Sequence, residues 1–389
     1  MKNIIKLLKV ISLASIIGIV GGISSIILTL IIHNFPYHNN IYLIPVVFLL
    51  CGVVVDFFPI IRGSGINYVL KALNENEKLF WYFGALKVFL SGFIIGVGGS
   101  AGKEGTCVFA SACFADNFIY RGLKLKNRDL VILTGISGGL AGAFATPLGA
   151  AIFSCELIER EDFRYFDVFP AIIASLVGYI VYYLITHKRH FLNYIPIYNL
   201  KPEDFIFFVI GAILLSYVGT LYMYVYKNVN KYFENINIPW TLKLFIGGCI
   251  VSFIGYIAPQ SLGMGLELIK NLFIIKYGLL FLFILLLGKI FATSFTIGSG
   301  APGGLVFPAM CIGAIAGALY GDILGVENIA PYVVLGIATV LSSTTNTPLG
   351  TSVLCTEIFG FDFSIPAGIG AVIGYKMTKT ETIYEHIRF

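Results

Sequence analysis

The sequence predicts an all-α polytopic membrane protein assembled from two related halves. Three observations carry this: the composition, a set of charge-free runs, and one motif that occurs twice. Of 389 residues, 57% are hydrophobic and 12% charged, which is too little polar surface to cover a water-soluble globule of that length. Charge-free runs stand at residues 10–32, 42–55, 168–185, 205–224, and 277–287 with its continuation. They read as helical spans, because crossing the hydrocarbon takes about 20 residues at 1.5 Å each. The runs are continuous rather than alternating, so a β-barrel is disfavoured. The repeated motif is a Pro-Leu-Gly start, an apolar stretch and a closing carboxylate: Pro147 to Glu156 in the first half, Pro348 to Glu357 in the second. The same interval separates the two prolines and the two glutamates.

From the N-terminus, Lys2, Lys6 and Lys9 precede the first run. That run is too long for a signal-peptide core and lacks a small-residue cleavage site, so it is a retained helix with a cytoplasmic start. Basic clusters at residues 71–78 and 121–128 fit cytoplasmic loops, whereas the cluster at residues 187–190 leaves its side open. The polar stretch 187–203 joins the halves, giving repeats over residues 1–195 and 196–389. With the chain stopping at Phe389 soon after its last apolar run, no soluble regulatory domain is expected. Basic inner loops account for the net charge of +5 without any nucleic-acid partner.

Two families of side chain are read as ordinary. The seven cysteines lie singly in or at the ends of apolar segments with no CxxC pair, as small buried side chains do. The five histidines (His33, His38, His187, His190, His386) fall near predicted ends or loops, which argues against an intramembrane metal site.

Four Gly-rich or polar breaks interrupt the apolar sequence. They are Gly63-Ser-Gly-Ile-Asn67, the break containing Lys103 and Glu104, Gly303-Gly-Leu-Val-Phe-Pro308, and Thr380-Glu-Thr-Ile-Tyr384 at the start of a last short segment. Breaks in corresponding places of two repeats point to a transport site made of broken helices. A helix that starts inside the membrane presents unpaired N–H groups with roughly half a positive charge. Several such starts converging at mid-membrane would solvate an anion without a full cation to trap it. Gly-Ser-Gly alone more often marks a tight turn or a close helix crossing. A P-loop reading of residues 99–106 fails, because Val97 stands where the first glycine belongs and Glu104 follows Lys103. Glu104 is an ionisable group in apolar surroundings, which is functional by default in a membrane. Glu156 and Glu357 read first as residues that cap or face helix ends.

At these residues the chain resembles the CLC chloride channels and chloride/proton antiporters. The signatures of that family, written GSGIP, GREGP, GxFxP and a tyrosine near the last membrane helix, stand here as 63–67, 102–106, 304–308 and Tyr384. The resemblance implies an inverted-repeat fold of broken, tilted helices whose N-termini converge on a mid-membrane anion site. It implies that Ser64 and Tyr384 hold the anion with their hydroxyls, joined by the N–H groups of Leu305 and Val306. It implies an outer site at Lys103 to Gly105, with Gly63, Gly65, Gly102 and Gly304 as further anion-binding positions, and Glu104 as the gate that exchanges with the anion when protonated. It also implies a homodimer in a lipid bilayer, an inner membrane of a prokaryotic cell with both termini cytoplasmic, no cofactor, and chloride and protons as the transported ions.

Departures from the pattern matter for mechanism. Asn67 and Thr106 replace prolines, Lys103 replaces arginine, and Val306 stands where a phenylalanine is usual. Leu157 occupies the place of the inner proton-transfer glutamate, with Glu156 beside it on a possible inner proton path, which favours a passive channel. The pattern over residues 98–106 also resembles the fluoride-exporting branch, while the retained Ser64 resembles the chloride branch. The expectation is chloride/proton exchange gated by Glu104, with a chloride channel and a fluoride/proton antiporter as alternatives. An intramembrane enzyme using Glu104 with Ser64 or Tyr384 is the alternative from another class. It lacks a Ser-His or two-Asp arrangement within the spans.

Overall fold

A computed structural model describes residues 2–35, 41–158, 165–187, 198, 201–379 and 381–385. The proposed repeat junction at 195/196, most of the basic cluster at 187–190, and His38, His190 and His386 lie outside the described residues. Described residues form sixteen α-helices in the order α1 Lys2–Asn34, α2 Leu43–Phe57, α3 Gly65–Asn74, α4 Trp81–Gly96, α5 Glu104–Phe114, α6 Arg128–Phe144, α7 Pro147–Ile158 and α8 Tyr165–Thr186. The second series runs α9 Asp204–Asn235, α10 Trp240–Ile257, α11 Leu266–Leu272, α12 Leu279–Gly298, α13 Val306–Ile323, α14 Ala330–Thr345, α15 Pro348–Phe359 and α16 Ser364–Thr378. Six helices among the described residues are long and apolar enough to cross a membrane.

The two series correspond element by element. Single 3₁₀ turns, Pro59–Ile61 and Pro259–Ser261, precede α3 and α11. The residues that close α6 and α14, Ala145 and Asn346, both take left-handed backbone just before the Pro-Leu-Gly motif. Helices α6 and α14 are not among the charge-free runs. Their glycine, serine and threonine content lowers hydropathy, and they face protein rather than lipid: α14 is buried along its whole length. The hydroxyls of Ser343, Thr344 and Thr345 bond carbonyls three or four residues back in α14, so no water is needed to satisfy them. Small residues set the closest crossings. A Cβ on Gly142 of α6 would fall 2.8 Å from the carbonyl oxygen of Gly21 in α1, and one on Gly138 3.1 Å from the Cα of Gly18, the close backbone approach that glycine permits between membrane helices. Six of the cysteines are buried as expected; Cys249 is the exception, exposed on α10.

The repeated motif explains itself once α7 and α15 are seen side by side. Glu357 at the end of α15 accepts from the N–H groups of Leu148 and Gly149 at 3.0 and 2.6 Å, capping α7. Glu156 at the end of α7 does the same for Leu349 and Gly350 at 3.0 and 2.7 Å, capping α15. Each half therefore satisfies the other's helix start, where unpaired N–H groups and the positive dipole end favour a carboxylate. Gly149 and Gly350 make room, since a Cβ on Gly149 would lie 2.5 Å from the Cα of Leu354.

Two lysines repeat in the same way. Lys87 of α4, fully buried, donates to the carbonyls of Ile61, Arg62 and Gly63 at 2.7, 3.3 and 2.8 Å. Lys289 of α12 donates to Ser261 and Gly263 at 3.0 and 2.8 Å. Each neutralises carbonyls that the turn before a short helix leaves pointing inward.

Replacing Glu357 with Ala leaves two α7 N–H groups without their cap and is expected to cost about 1–2 kcal/mol. A thermal melt in detergent should show a Tm lower by a few degrees, with a smaller shift for Glu357→Gln, whose amide oxygen can still accept one bond.

Candidate anion site

The site is built from three interrupted backbones. Gly63, at φ +57°, turns the chain into α3. Its N–H donates to Gly300 O at 3.1 Å, while its carbonyl accepts from Gly303 N–H at 3.2 Å. Gly65 N–H donates to Gly303 O at 3.3 Å, and Gly102 N–H to Gly304 O at 2.9 Å. Ser64 pairs with Gly303 in a parallel bridge and Gly102 with Gly304 in an antiparallel one. The breaks of the first half are thus sewn to the break of the second, and this corrects one expectation. The N–H groups of Gly63, Gly65 and Gly102 are used in backbone pairing, so these glycines frame the site rather than donate to an anion.

Glu104 opens α5 and is fully buried. Its side chain crosses to the equivalent position of the other half, where Oε1 accepts from Val306 N–H, the first residue of α13, at 2.8 Å. The N–H of Phe307 also faces this carboxylate. The carboxylate's donors are therefore Val306 and Phe307, so it shares Val306 with the Leu305 and Val306 pair expected for the anion beside Ser64. Leu305 is the residue before the helix, and its carbonyl accepts from Ala309 N–H at 3.1 Å and from the Tyr222 hydroxyl at 3.5 Å. The Phe307 ring stacks on Phe144 with centroids 5.5 Å apart and walls the site.

Three buried polar atoms here have no hydrogen-bond partner among the described residues: Ser64 Oγ, Glu104 Oε2 and Tyr384 Oη. Two hydroxyls and a helix start are the donors an unhydrated anion needs, and orphaned buried hydroxyls are rare enough to require a reason. Tyr384 lies beyond α16 in an irregular segment at the end of the described residues. That segment is tied to the end of α14, with Ile383 N–H donating to Thr344 O at 2.8 Å and Asn346 Nδ2 to Glu381 O at 2.7 Å.

The Lys103 ammonium turns toward α1 and α8 while staying within electrostatic reach of Glu104. Its ammonium stands 3.5 and 3.4 Å from the hydroxyls of Ser25 and Thr29 on α1 and 4.9 Å from the Tyr182 ring centre. Gly105 lets α5 reach α13, since a Cβ there would fall 2.8 Å from Gly303 O and 2.9 Å from the Cα of Gly304. Leu157 is fully buried in the apolar core, and Glu156 caps α15; neither lines the cavity of about 360 Å³ that leads to Ser64. Tyr222, on the long helix α9, was missed from the sequence. Its only signal there is a polar residue every fourth position down one face of an apolar helix.

A mid-membrane pocket of helix starts and hydroxyls, assembled from two broken repeats, defines a membrane anion transport protein of the discontinuous-helix kind. The chain belongs to the voltage gated chloride channel (CLC) family, whose profile matches residues 46–379. It is 57% identical over 385 residues to the uncharacterized protein MJ0305 of Methanocaldococcus jannaschii, covering 99% of this chain and 97% of that one. It is 28% identical over 318 residues to the voltage-gated ClC-type chloride channel ClcB of Escherichia coli, covering 79% and 75%. Its fold matches the crystal structure of a CLC-type fluoride/proton antiporter (TM-score 0.84, 22% identity, 99% and 98% of the two chains). It also matches that of a slow cyanobacterial Cl⁻/H⁺ antiporter (TM-score 0.87, 17% identity, 96% of each). The protein is therefore an integral membrane protein of a family of ion channels and transporters.

Gly105→Ala forces the starts of α5 and α13 apart against backbone, a contact that costs about 1–3 kcal/mol to accommodate. Anion flux in liposomes is expected to fall about tenfold or more while the purified protein still elutes as a single folded species.

Proposed function

We propose that the protein exchanges chloride for protons, with Glu104 as the gate. The observation that carries this reading is the Glu104 carboxylate lying across the start of α13 with one oxygen unpartnered. An ionised carboxylate and a halide compete for the same N–H groups, so protonating Glu104 releases those donors to the anion and links the two ions. Ser64 and Tyr384 supply hydroxyl donors on the inner side of the same site. Chloride is favoured by the retained Ser64 and by the likeness to ClcB, and exchange by the likeness in fold to two antiporters. A channel reading draws on Leu157, which offers no inner carboxylate. A fluoride reading draws on residues 98–106 and on the fluoride/proton antiporter of the same fold. The protein works without a cofactor and without chemical change of its solute, as a homodimer in a prokaryotic inner membrane with both termini cytoplasmic.

Paired chloride and proton fluxes in proteoliposomes test the proposal. An imposed chloride gradient is expected to drive uphill proton movement in the native protein, and Glu104→Gln is expected to abolish it while chloride still moves. Chloride flux without protons in the native chain would make it a channel, and a larger fluoride than chloride flux would move it to the other branch.

A further inference from the structure

The vestibule below Ser64 is lined on one side by a single helix face with a regular polar pattern. Tyr222, Tyr226, Asn230 and Glu234 follow one another at every fourth position of α9, which places them on one face of the helix. Their burial falls along the helix. Tyr222 is fully buried, Tyr226 is 2% exposed, Asn230 is half-buried, and the Glu234 side chain is 42% exposed. At the inner end the Tyr222 hydroxyl bonds the carbonyl of Leu305 at the start of α13. At the outer end Glu234 stands 3.5 Å from Arg62, whose guanidinium lies 4.5 Å above the Trp240 ring. Tyr226, Asn230 and Glu234 line the same cavity as Ser64.

Resting on the exchange reading, we propose that this face of α9 is the proton route to Glu104, with Glu234 as the group that takes the proton from water and Tyr226 as the inner relay. Two facts leave the task to α9: Leu157 is apolar and buried, and Glu156 is held at the start of α15. The phenols sit where a relay needs them. Tyr226 is within electrostatic reach of Glu234, Glu385 and Tyr384, and both Tyr222 and Tyr384 are within reach of Glu104. The cavity has room for several waters at about 30 Å³ each, which matters because an amide such as Asn230 can hold a water but does not pass a proton.

The transfer balances without any further reactant. Hydronium in the vestibule gives a proton to the Glu234 carboxylate, and the resulting acid passes it to the water beside Asn230. The Tyr226 hydroxyl accepts that proton on a lone pair as it releases its own inward, to Tyr222 or Tyr384. The last hydroxyl hands a proton to Glu104, and each phenol is left neutral, so one proton taken from the vestibule becomes one on the gate. Arg62 and Lys243 surround Glu234 with positive charge. Arg62 also gives the arriving anion a counter-charge at the same mouth.

The experiment measures protons moved per chloride in proteoliposomes for the native protein, Glu234→Gln, Tyr226→Phe and Glu385→Gln. Glu234→Gln and Tyr226→Phe are each expected to lower the proton-to-chloride ratio about a hundredfold or more, the scale of losing one proton-transfer group. Chloride flux should stay within about a factor of two, which also shows that the variants fold. A native ratio above zero that neither variant changes overturns this route and leaves the exchange reading standing. A loss confined to Glu385→Gln overturns the assignment to Glu234, and a native protein that moves no protons overturns both proposals.

Discussion

Backbone pairing across the two halves is the interaction on which everything else in this protein depends. Inside a bilayer an irregular stretch of chain must find its own hydrogen-bond partners, because no water will supply them. The breaks at residues 63–65, 102 and 300–304 solve this for one another: four N–H···O bonds join glycine to glycine across the repeats. Once that knot is tied, α3, α5 and α13 begin with their N-termini together. The N–H groups not used in the knot are the ones that face the Glu104 carboxylate. Glycine is required for the geometry, since side chains at 65, 105 or 304 would run into the opposing backbone or into Glu104.

Charge is arranged so that the site is positive without holding a cation. Lys103 turns toward α1 and α8, where hydroxyls and the Tyr182 ring receive it. Lys87 and Lys289 are consumed by carbonyls of the turns before α3 and α11. What remains for an anion is partial charge from helix starts and hydroxyls, strong enough to replace hydration yet weak enough to let go. The carboxylates divide in the same spirit. Glu156 and Glu357 each cap the other's helix and hold the halves together, whereas Glu104 caps α13 with one oxygen and leaves the other unmatched. A carboxylate with an incomplete set of donors is the one most easily exchanged for another anion.

The two repeats share a frame and differ where function enters. Glu104 and Val306 open equivalent helices, so the acidic side chain exists in one half only and reaches to its counterpart's N–H in the other. Ser64 likewise corresponds to Met264, a side chain with no donor. The vestibule face of α9 has its polar series beside Ser64, on the side where the hydroxyl donors gather. A symmetric scaffold with asymmetric side chains gives the site two unlike ends.

The sequence by itself determined the membrane class, several of the helical spans, the doubled Pro-Leu-Gly motif and the breaks that hold Ser64, Glu104 and Val306. These are signals of local composition and period, which a chain carries without regard to what it touches. Only the tertiary structure decided that Glu156 caps α15 instead of its own helix, that the N–H groups of Val306 and Phe307 face the Glu104 carboxylate, and that the N–H groups of Gly63, Gly65 and Gly102 are already taken. Tyr222 and Lys87 looked like ordinary members of apolar helices until their partners, far away in the chain, were in place. The physical reason is the same each time. A donor or a charge inside a membrane is defined by the group that satisfies it, and here that group belongs to a distant segment, often one in the other half.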